Sequence, residues 1–211
     1  MRNLARRNFA IALLAFCFAP ATALGGTILF LGDSLSAGLG MQPEQAFPAL
    51  IERKIRATNL PFEVVTAGLS GDTSAGGLRR LDWLLQKKID VLVLELGAND
   101  GLRGLSVTAM ESNLQAIIDR VKAQNPQAKI VIAGMQIPPN LGADYAAAFR
   151  SAFADLAQKN NAALIPFLLE GVGGHIDLNQ GDQIHPTPAG HKIVAENVWR
   201  VLEPLLRKSG S

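Results

Sequence analysis

The chain has 211 residues, enough for one domain with a sizeable core. Its 48% hydrophobic and 18% charged residues exclude a disordered or fibrous polypeptide. The formal charge of +2 comes from the first stretch: cleavage after Ala23 removes three arginines and no acid, which leaves 17 basic against 18 acidic side chains in 188 residues. That remainder has no basic footprint for nucleic acid. The one cysteine, Cys17, leaves with the same stretch, so a disulfide, a thiol nucleophile and a thiolate metal site are excluded from the rest.

Arg2, Arg6 and Arg7 precede an 11-residue apolar run, Phe9 to Ala19, followed by Pro20 and Ala21-Thr22-Ala23. These are the basic region, apolar core and small-residue cleavage site of an export signal. The run is too short to cross a bilayer. Residues 1–23 are therefore read as a cleavable signal. Residues 24–211 are read as one domain, periplasmic or secreted, with no stable membrane span after processing. Arg6-Arg7-Asn8-Phe9 loosely fits a twin-arginine signal, but the plain secretory reading is simpler. Bulky Phe16 before Cys17 argues against a lipid-modified cysteine.

Five β-rich runs follow: Thr27–Leu31, Phe62–Thr66, Asp90–Leu96, Lys129–Gly134 and Ala163–Phe167. Val91 to Leu94 and Ile130 to Ile132 are continuously apolar, as parallel strands covered on both faces are. Between the runs the period turns helical. Phe47, Leu50, Ile51 and Ile55 share one face, and Leu78, Leu81 and Leu85 form a weaker stripe. Met110, Leu114, Ile117, Ile118 and Val121 form another, as do Tyr145, Phe149, Phe153 and Leu156. A last helix is expected to start with Thr187 as N-cap and Pro188 at its first position, burying Ile193, Val194, Val198, Val201 and Leu205. This alternation predicts an α/β fold with a parallel sheet of about five strands and helices on both faces. Such sheets carry their sites just beyond the strand ends.

Four loops hold the residues that can do chemistry. Gly32-Asp33-Ser34-Leu35-Ser36 presents a serine at a strand end, where a nucleophilic hydroxyl needs to be; Asp33 and Ser34 can equally cap a turn. Ser36 stands where the Gly-x-Ser-x-Gly elbow has its second glycine, so this is a different turn. Gly71 and Asn99, in the loops after the second and third strands, can each donate to a developing oxyanion, or simply make turns. Near the C-terminus, Asp182 precedes His185 by three residues. A serine needs an adjacent base, and histidine suits that role near neutral pH. His175 and His191 read as structural or solvated. A zinc reading would gather His175, Asp177, Asp182, His185 and His191, but the spacing has no recognised signature and leaves Ser34 and Asn99 unexplained.

Together the four loops resemble the SGNH, or GDSL-type, hydrolase superfamily, and within it the bacterial thioesterase I/lysophospholipase L1/arylesterase group. Ile28 to Gly38 matches the first block, Ser70 to Ser74 the second, Glu95 to Gly104 the third and Asp182 to Pro186 the last; Met135 to Asn140 is similar to a further loop of the group. The resemblance implies a flavodoxin-like three-layer sandwich. It implies Ser34 as nucleophile, His185 as general base and Asp182 as the carboxylate that orients it. The implied oxyanion hole is formed by the Ser34 and Gly71 backbone N–H groups and the Asn99 side-chain amide. Gln183 stands where close thioesterase relatives often carry glycine, and the Met135–Gly142 loop is short. No metal or organic cofactor is implied.

The implied activity is hydrolysis of small-molecule or lipid-like esters: aryl esters, short and medium acyl esters, lysophospholipids and acyl thioesters. Removal of O-acetyl groups from a sugar or glycan by the same set is the alternative. A non-catalytic exported binding protein is a remoter one. Leu102 and Leu105 after Asn99, and Ile137, Pro138 and Leu141 after the fourth strand, are expected to flank the acyl chain.

Overall fold

Strand β1 (Gly26–Gly32) leads through a one-turn helix α1 (Ser34–Ala37) to α2 (Phe47–Ala57). Strand β2 (Phe62–Gly68) is followed by α3 (Ser74–Leu84), and β3 (Val91–Glu95) by a short α4 (Ala98–Leu102) and a long α5 (Val107–Gln124). Then come β4 (Lys129–Ala133), α6 (Ala143–Asn160), β5 (Ala163–Ile165) and, beyond a long loop, α7 (Pro188–Arg207). This computed structural model describes residues 25–208. The expected signal at residues 1–23, with Cys17, lies outside them.

The five strands form one parallel sheet in the order β2-β1-β3-β4-β5. β1 and β3 lie inside it, and Ile28 to Leu31 and Val91 to Leu94 are buried on both faces, as their unbroken apolar runs require. The chain steps outward from β1 to β2, then returns past β1 to β3 and onward. Right-handed crossovers then put α2 on one face and α3, α5 and α6 on the other. α3 packs on α5 and α5 on α6, while α7 packs on α2. The result is the three-layer α/β sandwich expected. The reversal of direction between β1 and β3 opens a crevice at their carboxyl ends, the place where open parallel sheets take ligands.

Two local expectations shift. The fifth strand ends at Ile165 instead of Phe167, because Pro166 has no N–H to continue the ladder. α7 starts as expected, with the Thr187 hydroxyl accepting the Gly190 N–H at 3.3 Å. Its fully buried stripe, however, is Val194, Val198, Leu202 and Leu206, the four-residue continuation of the first pair, and Ile193, Val201 and Leu205 are half-buried.

His191, on the same helix, is buried in the core. Its Nδ1 accepts the Phe47 N–H at 3.1 Å, and its ring stacks on Phe47. Phe47 opens α2, whose N-cap Ala46 has no side-chain oxygen, so His191 satisfies a helix-end donor from another helix. Burial, chiefly, pushes its pKa from 6.5 down to about 4. Between those values the unfolded chain binds the extra proton, so the stabilisation is whole above about 6.5 and is lost as pH falls towards 4. The denaturation midpoint should drop across this window. His191→Asn, whose amide oxygen can accept the Phe47 N–H, should flatten the drop, and equal slopes in both proteins would place the proton elsewhere.

Candidate active site

At the end of β1, Asp33 caps α1, its Oδ1 accepting the Leu35 N–H at 3.0 Å. This makes Ser34 the first residue of a helix, with its hydroxyl aimed into the crevice, where it helps line the pocket. α1 ends after one turn because Gly38 takes the left-handed conformation, at φ +71°. The turn is held from below. At Gly68 of β2 an added Cβ would lie 2.3 Å from the Ala37 nitrogen and 2.7 Å from the Ser36 carbonyl carbon.

His185 comes in from the loop before α7. Its Nε2 is 2.9 Å from Ser34 Oγ, and its Nδ1 is 2.6 Å from Asp182 Oδ2. The other Asp182 oxygen accepts the N–H groups of Ile184 at 2.9 Å and His185 at 3.0 Å. Hydrogen bonds from the His185 backbone and ring, then from Ile184, hold the Asp182 pKa down to about 2. An ionised carboxylate only accepts, so it fixes the hydrogen of His185 on Nδ1 and leaves Nε2 free to accept the serine hydrogen. The loop is tight because Gln183 adopts φ +61°, a left-handed conformation that glycine takes more readily. Its ends are pinned by Gln180, whose N–H donates to the His185 carbonyl at 2.7 Å and whose side chain donates to the Leu39 carbonyl at 2.8 Å.

Gly71 also has positive φ, at +79°, and its carbonyl accepts from Arg103 at 2.9 Å. Among the described residues the backbone N–H groups of Ser34 and Gly71 have no acceptor. The Asn99 amide is engaged differently. Its Nδ2 donates to Asp33 Oδ2 at 3.1 Å and to the Asp72 carbonyl at 3.0 Å. Both amide hydrogens are therefore in use, and an oxyanion bound there would have to take one over. Two further side-chain ties hold the loops together. Arg80 bonds the Asp72 carboxylate at 2.7 Å and the Gly32 carbonyl at 2.9 Å. Asp100 accepts from the Ser74 N–H at 2.8 Å and its hydroxyl at 2.6 Å.

A cavity of about 520 Å³ opens beside Ser34, Asn99 and His185. Leu102, Ile137 and Pro138 line it as expected from their chain positions, and so do Leu35, Met135, Phe167, Leu169 and Ile184, which were not among the residues expected to flank the acyl chain. Leu105 and Leu141 are not among its lining residues. Both are partly exposed, and the Leu105 carbonyl is taken by the Tyr145 hydroxyl at 2.6 Å. Among the described residues no three His, Cys, Asp or Glu side chains cluster as a metal site would, and no helix is long and apolar enough to cross a membrane.

Residues 30–193 match the GDSL-like lipase/acylhydrolase family. The chain belongs to this family. It is 42% identical to the esterase TesA of Pseudomonas aeruginosa over 92% of this chain and 96% of that one. It is 39% identical to the thioesterase 1/protease 1/lysophospholipase L1 of Escherichia coli over 93% of this chain and 90% of that one. Among solved structures, the psychrotrophic esterase EstA from Pseudoalteromonas sp., inhibited by monoethylphosphonate, superposes with a TM-score of 0.81 at 37% identity, covering 86% of this chain and 99% of that one. This GDSL-like hydrolase is thus an ester hydrolase on a parallel α/β sheet.

The close approach at Gly68 gives a test of how the serine turn is held. In this hydrolase Gly68→Ala should displace α1 and cost about 1–3 kcal/mol of stability in chemical denaturation. Esterase activity should fall further than the folded fraction does. Unchanged stability and turnover would mean that the strand and turn are not in the close contact described.

Proposed function

We propose that this hydrolase cleaves carboxylic esters through an acyl-enzyme on Ser34. The observation that carries the proposal is the unbroken chain from Asp182 through His185 to Ser34, with links of 2.6 and 2.9 Å. Ser34 Oγ attacks the ester carbonyl as its hydrogen passes to His185 Nε2. Asp182 stabilises the imidazolium that forms. The oxyanion is held by the Ser34 and Gly71 N–H groups and by Asn99, which exchanges one of its resting hydrogen bonds for it. His185 then protonates the departing alcohol or thiol. In the second half it takes a proton from water, which attacks the acyl carbonyl and releases the acid. No step calls for a metal or an organic cofactor.

The pocket's lining indicates the acyl half of the substrate. Leu102, Ile137, Phe167, Leu169 and Ile184 offer apolar surface to a chain but few groups to hold a polar one. Short and medium acyl esters, including aryl esters, fit this reading. The Escherichia coli relative carries both thioesterase and lysophospholipase in its name, and acyl thioesters and lysophospholipids share the same acyl part. We read residues 1–23 as the export signal, so that the enzyme works in the periplasm or outside the cell.

Ser34→Ala should remove nearly all ester hydrolysis while the protein stays folded; near-normal turnover in a folded variant would end the assignment. Asn99→Ala should lower kcat by about a hundredfold to a thousandfold, the scale for one oxyanion donor. A rise in KM alone would instead make Asn99 a ground-state contact. Along an ester series, kcat/KM should rise with acyl length, by up to about 0.8 kcal/mol per methylene, until the pocket is filled. Ile137→Asn or Leu169→Asn should depress medium-chain esters more than acetyl esters. Equal losses on both would place the acyl chain elsewhere.

A further inference from the structure

Glu95 is the last residue of β3 and has no solvent exposure. It follows four apolar residues in a strand covered on both faces, so a charge there is out of keeping with its surroundings. One carboxyl oxygen is crowded with donors. Oε2 accepts the Asp33 N–H at 3.1 Å, the Ser36 N–H at 3.2 Å and the Ser36 hydroxyl at 2.7 Å. The other oxygen, Oε1, is fully buried and accepts from no donor among the described residues. The carboxyl of Asp33, the residue whose N–H Glu95 accepts, is buried beside it.

Two ionised carboxylates side by side without water repel strongly, and a proton on one of them removes the repulsion. The hydrogen bonds say which one. Both Asp33 oxygens already accept, Oδ1 from the Leu35 N–H and Oδ2 from the Asn99 amide. Glu95 Oε2 already accepts three times. Only Glu95 Oε1 is left to be a donor.

We infer that Glu95 is a positioning residue of the hydrolase: held as a neutral acid, it donates a hydrogen bond from Oε1 to the Asp33 carboxylate and, through Asp33, orients the Asn99 amide for the oxyanion. The hydrogen bond also spreads the Asp33 charge. An unshared carboxylate would grip the Asn99 hydrogen and repel the negative charge that forms a few ångströms away. Burial, then the neighbouring Asp33 charge, pushes the Glu95 carboxyl well above the usual carboxylate range, in keeping with a neutral acid. The inference rests on the reading of Asn99 as an oxyanion donor.

The test has a spectroscopic arm and a kinetic arm. Near neutral pH the infrared difference between wild type and Glu95→Gln should show the C=O stretch of one protonated carboxylic acid, present in the wild type only. Glu95→Gln can still donate from its amide to Asp33, so it should retain most of the kcat that Glu95→Leu loses. Glu95→Leu should lower kcat by about tenfold to a hundredfold, less than losing the Asn99 donor itself, with KM little changed. In an Asn99→Ala background the same Glu95→Leu change should cost nothing further. Absence of the acid band overturns the inference even if Asn99→Ala behaves as expected. So does a Glu95→Leu loss that multiplies with that of Asn99→Ala, or one that Glu95→Gln shares in full. If Glu95→Leu does not fold, the band and the kcat of Glu95→Gln decide alone. If Asn99→Ala leaves kcat unchanged, the oxyanion reading fails and the positioning role falls with it, whatever the band shows.

Discussion

A hydrogen bond of 2.9 Å joins Ser34 to His185 across 151 residues of chain. Its two ends belong to different layers of folding: one follows an interior strand, the other precedes the last helix. Nothing local to either residue can set that distance. It is set by the sheet order, which brings the ends of β1 and β3 to one crevice, and by the packing of α7 on α2, which delivers the histidine loop to the same place. Proton transfer weakens steeply once such a contact opens beyond hydrogen-bond reach. The buried strands, the capped helices and the close approach at Gly68 all serve the same geometrical requirement.

Charge is arranged around this contact in two distinct ways. Asp182 lies at the rim, partly exposed, and stays ionised because backbone N–H groups and the His185 ring bond it directly. Below the serine turn, Asp33 and Glu95 are buried together, with backbone and side-chain donors around them. In the mechanism proposed, the first arrangement meets the imidazolium formed during attack, and the second lies under the groups assigned to the oxyanion. Arg80 and Arg103 do neither. They bind carbonyls and the Asp72 carboxylate, and so tie the loop that carries Gly71 to the end of β1 and to α4, which carries Asn99.

The architecture was legible because the burial of β1, β3 and β4 on both faces leaves unbroken apolar runs in the sequence, while α5 and α6 each leave a long one-sided stripe. The candidate site loops were legible because four short blocks stand in order along the chain, three at the ends of β1, β2 and β3 and the last just before α7. What was missed is of another kind. Phe167, Leu169 and Ile184 reach the pocket through the irregular chain between β5 and α7, where no period exists to be read. Leu105 and Leu141 are close in sequence to residues that line the pocket but do not line it themselves, and Leu141 closes a short 3-10 turn, Pro139–Leu141. Glu95 and Asp100 did leave a signal: an acid at the end of an otherwise apolar strand, and another between the glycines that follow it. Neither could be given a partner before the loops were brought together. His191 is the reverse case, a titratable side chain read as structural or solvated, which the structure makes structural through a partner, the Phe47 N–H, 144 residues away.

The central claim is that the reaction passes through a covalent ester on one particular oxygen. The most direct test is to mix the enzyme with an activated aryl ester, quench in acid within the first turnover, and map the added mass by peptide mass spectrometry. The account expects one acyl group per chain, on the peptide containing Ser34, appearing as fast as the aryl alcohol is released. Rapid release of the alcohol with no acyl mass on the chain, or with the mass on another residue, would contradict it.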